Sequence, residues 1–177
     1  MKSIYKLTVM ATCTLLFTSL NLLSQSVDST ANEYSDSLLC LEINGKITNK
    51  DKGNTNNTYK AVLIHYNTPV DSAIVKGNRS FTFSLMKDAY YAIKIYKAGY
   101  APKLISISTC VPKEELDKDP LQFHFKTQLI PEQEFNNLNE EVKDFPIAVV
   151  LFLKSKKGFS YNEKYTYNIK RTLYTKK

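Results

Sequence analysis

The sequence contains few of the residues from which most catalytic and metal sites are built. Its 177 residues include 5 glycines, 3 cysteines and 2 histidines. Five glycines could hardly supply a glycine-rich phosphate loop, and neither a Cys-x-x-Cys pair nor a His-Glu-x-x-His motif is present. This scarcity argues against a nucleotide-binding enzyme or a zinc enzyme, so we expect no catalytic residues, no metal and no cofactor.

Long apolar runs are also scarce, and the longest one lies near the N-terminus. Lys2 and Lys6 precede it, the run extends over 7–23, and small residues follow at 24–26. The pattern predicts a signal peptide, residues 1–24, that ends at Ser24 or Ser26. An uncleaved anchor is the alternative, although the run is short for a bilayer span of about 20 apolar residues. We expect a protein secreted to the periplasm or the cell surface, with no membrane span once the signal is removed.

Two cysteines, Cys40 and Cys110, follow this segment. In an oxidising compartment they could form a disulfide that stabilises the fold by roughly 4 kcal/mol in the chain-entropy model. Spacing alone does not fix the geometry of such a bridge, and two free, buried thiols are the alternative reading.

The rest of the sequence is dominated by segments in which apolar residues occur at every second position. In 90–109, Tyr91, Ile93 and Ile95 fall on one side of an extended chain, and the alternation resumes after a turn at Ala98 and Gly99. This segment therefore predicts two strands around a glycine corner. Five further segments have strand patterns: 40–47, 59–66, 70–76, 79–85 and 121–129.

Seven short strands without a long helical pattern between them favour a mainly β protein, an antiparallel sandwich over residues 38–130. The polar residues 25–37 predict a flexible lead-in. Residues 131–177 predict a small α+β extension. It comprises a helix over 131–143, a buried strand over 147–153, and a basic amphipathic helix that Asn162 caps and that buries Tyr165, Ile169 and Leu173.

Three runs together resemble a known domain family: Gly45-Lys-Ile-Thr-Asn-Lys-Asp-Lys-Gly53, the Phe-x-Phe strand of 80–85, and Tyr91-Ala-Ile-Lys-Ile-Tyr-Lys-Ala-Gly-Tyr100. Residues 38–130 resemble the carboxypeptidase regulatory-like, or transthyretin-like, domain, and 131–177 look like an extension of unassigned function that such domains carry in secreted bacterial proteins. The resemblance implies a seven-stranded transthyretin-like or Ig-like sandwich that serves as an accessory or binding module. The transthyretin-like hydrolases end in Tyr-Arg-Gly-Ser, whereas this chain ends in Thr-Leu-Tyr-Thr-Lys-Lys, so their activity does not carry over.

The remaining candidate sites each have a simpler interpretation. His65 and His124 could share a metal, but lone strand histidines are more often structural or surface residues. The acidic run 114–119 could bind calcium, yet it is interrupted by a lysine and reads more simply as a solvated turn. Residues 154–177 carry eight basic residues and one acidic residue, which fits the polar faces of a helix better than nucleic-acid binding.

Three functions are consistent with these observations. The first is a non-enzymatic secreted accessory module that contacts another cell-envelope protein or a glycan through loops or a sheet edge. The second is a carbohydrate-binding module in which exposed tyrosines such as Tyr90 and Tyr96 stack on sugars. The third is a hydrolase of unknown substrate. The sequence does not identify the partner or the oligomeric state, and we expect no nucleic acid among the ligands.

Overall fold

The computed structural model describes residues 38–48, 58–115 and 119–175. The predicted signal peptide (1–24) and lead-in (25–37) lie outside the described residues. Nine strands and two α-helices lie within them. The strands are β1 (Leu39–Ile47), β2 (Thr58–His65), β3 (Thr68–Lys76), β4 (Ser80–Met86), β5 (Tyr90–Lys97), β6 (Tyr100–Ser108), β7 (Leu121–Thr127), β8 (Ala148–Leu153) and β9 (Gly158–Tyr161), and the helices are α1 (Glu132–Asn136) and α2 (Glu163–Tyr174).

The strands form two sheets, which confirms the mainly β sandwich. The smaller sheet has the order β4-β1-β7, and the larger has the order β3-β2-β5-β6-β8-β9. Two features differ from the prediction of seven antiparallel strands. Strands β1 and β7 pair in parallel, as do β6 and β8, which the long connections between the members of each pair permit. Strands β8 and β9 extend the larger sheet, so the described strand count is nine.

The core lies between the sheets and consists of the alternating residues that the sequence places inward. On β5, Tyr91, Ile93 and Ile95 are buried, whereas Tyr90 and Tyr96 are exposed. The same alternation holds on β4 and β7, whose phenylalanines face the core. The buried residues of these two strands are Phe81, Phe83, Leu85, Phe123 and Phe125.

Gly45 of β1 lies where two of these phenylalanine rings meet. A Cβ atom at position 45 would be 2.3 Å from Cζ of Phe81 and 2.6 Å from Cζ of Phe125. The two ring centroids are 5.9 Å apart in an edge-to-face arrangement, a favourable aromatic geometry. A side chain at position 45 would therefore have to displace core rings.

Thr109, which follows β6, is a fully buried polar residue whose hydrogen bonds are satisfied. Its hydroxyl donates to the carbonyl of Met86 at 2.7 Å and accepts from the amide of Ala89 at 2.9 Å. The Thr109 amide donates to the Ala89 carbonyl, and the Asp88 amide donates to the Thr109 carbonyl. These bonds fasten the β4–β5 turn to the end of β6, and they satisfy polar groups that would be costly to bury unpaired.

The extension differs from its prediction mainly in the first helix. The helix expected over 131–143 ends at Asn136, and a separate 3₁₀ turn, Glu140–Val142, follows. Asn139 accounts for the break, because its side chain accepts from the Glu141 amide at 3.0 Å and so caps a new turn. Asn162 caps the last helix as predicted, since its side chain accepts from the Tyr165 amide at 3.0 Å. Of its three residues expected to be buried, Leu173 is buried, whereas Tyr165 and Ile169 are half-buried. The predicted buried strand is present as β8, but only its Ala148 and Val150 are buried.

None of the helices in the described residues is long and apolar enough to span a bilayer.

We expect Gly45→Ala to destabilise the protein by about 1–3 kcal/mol, the usual cost of overpacking a core. Gly158→Ala is the matched control, since a Cβ there would meet its nearest neighbour, a backbone oxygen, at 3.7 Å, an ordinary contact. Urea denaturation of both variants measures the effect. Equal stabilities of the two variants would contradict the packing described for Gly45.

Candidate functional site

The outward sides of β3, β2 and β5 form a surface that we call the open face. Lys60 of β2 lies in register with Ile74 of β3 on one side and with Tyr96 of β5 on the other. Partners in an antiparallel pair point to the same side of the sheet, so these three side chains form a row across the surface. Ile74 is 70% exposed and Tyr96 is 38% exposed. The row therefore presents an aliphatic side chain, an ammonium group and a phenol ring to solvent.

Tyr96 lies between two shallow depressions of the open face. Tyr96 and Lys60 line both depressions and form the ridge between them. The first depression is also lined by Val62, Pro69, Asp71 and Ser72, and the second by Thr58, Tyr59, Ile74, Lys97, Ala98 and Tyr100.

The charges around Tyr96 are mostly positive. The Lys94 ammonium lies 5.4 Å from the centroid of the Tyr96 ring, within cation–π range. Asp71 also lines the first depression, and its carboxylate accepts from the Ser72 amide at 2.7 Å. An aromatic surface with donors and an acceptor beside it can contact both the apolar face and the hydroxyl groups of a ligand.

Tyr90, the other tyrosine singled out from the sequence, is also exposed on the outward side of β5. It lies six residues from Tyr96 along the strand, which corresponds to roughly 20 Å. A hydrogen bond with Cys110 raises the pKa of Tyr90. The structure therefore places both rings on one side of the sheet but does not bring them into one site.

The two cysteines lie at the same end of the sandwich as Tyr90. Cys40 is buried and Cys110 is exposed, and both are free thiols. The Cys40 thiol is 3.9 Å from the carbonyl oxygen of Thr109, the residue preceding Cys110. Burial raises the pKa of Cys40 to about 11. The two cysteines are thus neighbours, and their disulfide stays a prediction.

The two histidines lie in different surroundings, His65 on the inward side of the larger sheet and His124 on the solvent side of the smaller one. His65 pairs with the core residue Tyr91, and their rings stack with centroids 4.7 Å apart. His124 lies on the solvent side of β7, the neighbour of β1 in the smaller sheet, and is exposed. Among the described residues, no group of three His, Cys, Asp or Glu residues is placed to hold a metal ion. Part of the acidic run 114–119 falls outside the described chain; its Glu114 and Glu115 lie in a 3₁₀ turn.

Among the lysines of the described chain, Lys103 of β6 is the one whose pKa is strongly shifted by burial. Its ammonium donates to the Thr127 hydroxyl at 2.7 Å and to the Gln128 carbonyl, so it joins the larger sheet to the end of β7. Burial, reinforced by the nearby charge of Lys170, lowers the pKa of Lys103 to about 8. Lys103 was not predicted as a buried lysine, although it occupies an inward position in the alternation with Ile105 and Ile107.

Lys60 and Ile74 were not predicted as neighbours of Tyr96. They lie 36 and 22 positions from it along the chain, and their adjacency depends on the register of three strands. The sequence did indicate that Tyr96 itself is exposed, because the alternation along β5 places it on the outward side of the strand.

Comparison with known proteins does not assign the chain to a family. No family model matches it, and no curated protein matches it. One matching solved structure is a protein of Bacteroides uniformis ATCC 8492 that is described provisionally as a carbohydrate binding protein. It is 12% identical, and the match covers 53% of this chain and 43% of that chain with a TM-score of 0.32. The match thus spans less than half of that protein, and a likeness this low has no bearing on function.

The lowered pKa of Lys103 makes stability depend on pH in a defined direction. The unfolded state holds the Lys103 proton up to about pH 10.5, whereas the folded state releases it near pH 8, so the unfolded state binds more protons between these values. We expect the unfolding free energy of the wild type, relative to Lys103→Met, to be constant below pH 8. It should then rise by up to about 3 kcal/mol toward pH 10.5.

Urea denaturation across this pH range measures the difference. Lys126→Met is the matched control, because Lys126 is exposed and its loss removes the same single charge. A wild-type advantage that stays flat or falls with rising pH would contradict the burial of Lys103.

Proposed function

We propose that the protein is a non-enzymatic secreted module of the cell envelope that binds a glycan on the open face. The observation that carries the proposal is the exposed Tyr96 ring, which forms a ridge with Lys60 between two depressions. The two-sheet fold also supports a proposed kinship of residues 38–130 with the carboxypeptidase regulatory-like domains. Within that proposal, the protein is an accessory to another envelope component and performs no reaction of its own.

The chemistry of the open face suits a sugar ring. One side of a pyranose exposes C–H groups and packs on an aromatic face, while its hydroxyls need donors and acceptors. Tyr96 would supply the stacking surface, Lys60 and Lys94 the donors, and Asp71 an acceptor. Tyr90, about 20 Å away on the same strand, would contact a more distant unit of a long chain.

We expect Tyr96→Ala to weaken binding to a glycan, selected by array screening with the wild-type protein, by roughly tenfold, because it removes the stacking surface. Tyr167→Ala is the matched control, since Tyr167 is a similarly exposed tyrosine on α2, 65% exposed. Isothermal titration with the selected glycan measures both variants.

Two results would count against the glycan proposal. One is an array on which the wild-type protein binds no glycan. The other is an equal loss of affinity in Tyr96→Ala and Tyr167→Ala.

A second candidate, contact with an envelope protein through a sheet edge, is favoured by β3. Within the described chain this nine-residue strand pairs with β2 alone, and Val70 and Ile74 are 52% and 70% exposed. An extended segment of a partner protein can add to such an edge through main-chain hydrogen bonds. The β3 edge would then be the docking strand.

We expect a photo-crosslinking residue at position 74 to capture one envelope protein in cells, because a docked strand lies beside Ile74. A crosslinker at position 82, on the exposed side of β4, is the control. Mass spectrometry of the products compares the two positions. The proposal that β3 is a docking strand would be contradicted if both positions captured the same proteins or if position 74 captured none.

A further inference from the structure

A small cavity lies where the extension packs against β6. Its volume is about 170 Å³. Leu104 of β6 forms part of its wall, and Ile169 and Leu173 of α2 line it from the extension. Phe145, which also lines the cavity, is 56% exposed, so the cavity reaches the surface there.

The walls of the cavity are mainly apolar. Ala101 and Leu173 are buried, and most of the other apolar lining residues are half-buried. An apolar cavity of about 150 Å³ in a protein core stays dry and takes up benzene, so a space of this size accommodates a six-membered ring. The remaining apolar lining residues are Pro102, Ile130, Phe135, Val142 and Ile147.

The charged groups at the cavity are predominantly basic. Lys94, Lys103 and Lys143 line it, with Asp144 as the one acidic lining residue among those described. Lys143 is engaged by Glu140, at 2.5 Å between ammonium and carboxylate. Lys103 donates to neutral oxygens of Thr127 and Gln128. The Lys94 ammonium is directed at the Tyr96 ring, and in the described chain no carboxylate forms an ion pair with it.

We propose that this cavity is a binding site for a small organic anion, a benzene-sized apolar group that carries a carboxylate. The ring would occupy the space between Leu104 and α2, and the carboxylate would lie toward Lys94. The excess of lysines disfavours a cationic ligand of the same shape. The cavity shares Lys94 with the proposed glycan surface, but the row of Ile74, Lys60 and Tyr96 does not line it.

Three probes with one ring and different charges test the proposal: benzoate, benzyl alcohol and benzylamine. Methyl NMR spectra recorded during each titration report on Leu104, Ile147 and Ile169. We expect benzoate to cause saturable shifts of these methyl groups. Its affinity should exceed that of benzylamine about fivefold or more, because its carboxylate makes a favourable exposed contact with a lysine whereas the benzylamine ammonium makes an unfavourable one. Benzyl alcohol should be intermediate.

Two variants separate the apolar and the charged contributions. Ala101→Phe places a ring inside the cavity and should abolish the methyl shifts. If this variant does not fold, Val142→Phe introduces the ring from the side of the extension instead. Lys94→Gln should reduce the preference for benzoate over benzylamine at least twofold. Lys126→Gln, an exposed lysine of the other sheet, should leave it unchanged.

The proposal is overturned by any of three results. The first is the absence of saturable shifts with all three probes. The second is benzylamine binding as tightly as benzoate. The third is unchanged benzoate binding in a folded cavity-filling variant, which would place the ligand elsewhere.

Discussion

The fold depends on burying one side of every central strand against the facing sheet. Each sheet contributes alternate apolar side chains, and the smaller sheet supplies a cluster of phenylalanines from β4 and β7. Gly45 permits this cluster, since any side chain there would occupy the space of Phe81 and Phe125. The resulting layer excludes water from the middle of both sheets, and that burial supplies most of the driving force for folding.

Polar groups close the two ends of this layer. At one end, Thr109 satisfies the backbone of the β4–β5 turn, and Cys40 and Cys110 lie beside it. Toward the other end, the Lys103 ammonium reaches from β6 to the last residues of β7. These contacts hold the sheets together where apolar packing ends. The Lys103 ammonium is partly desolvated at its position, which lowers the pKa of Lys103.

The unequal widths of the sheets explain where the extension packs. Six strands spaced about 4.8 Å apart are wider than the three strands that face them. The extension meets the excess on one side, where β8 and β9 join the sheet and α2 packs beside them. At the opposite edge, β3 packs Val75 into the core, and its Val70 and Ile74 are exposed. The cavity beside α2 is therefore a consequence of this mismatch, whereas the open face is the outward side of the larger sheet and does not depend on it.

Alternation was enough to predict the buried sides of β5 and β7, because a period of two places Tyr91, Ile93, Ile95, Phe123 and Phe125 on one side whatever strands lie beside them. The cap of the last helix at Asn162 was also predictable, because it is a local interaction. The break at Asn139 was equally local and was missed, because apolar spacing outweighed the capping signal in the prediction.

The identity of neighbouring strands could not be predicted from alternation. The parallel pairing of β1 with β7 and of β6 with β8, and the row formed by Ile74, Lys60 and Tyr96, depend on contacts between distant segments. Alternation specifies a side of a strand but not the strand beside it, so the composition of a surface remains open until the sheets assemble.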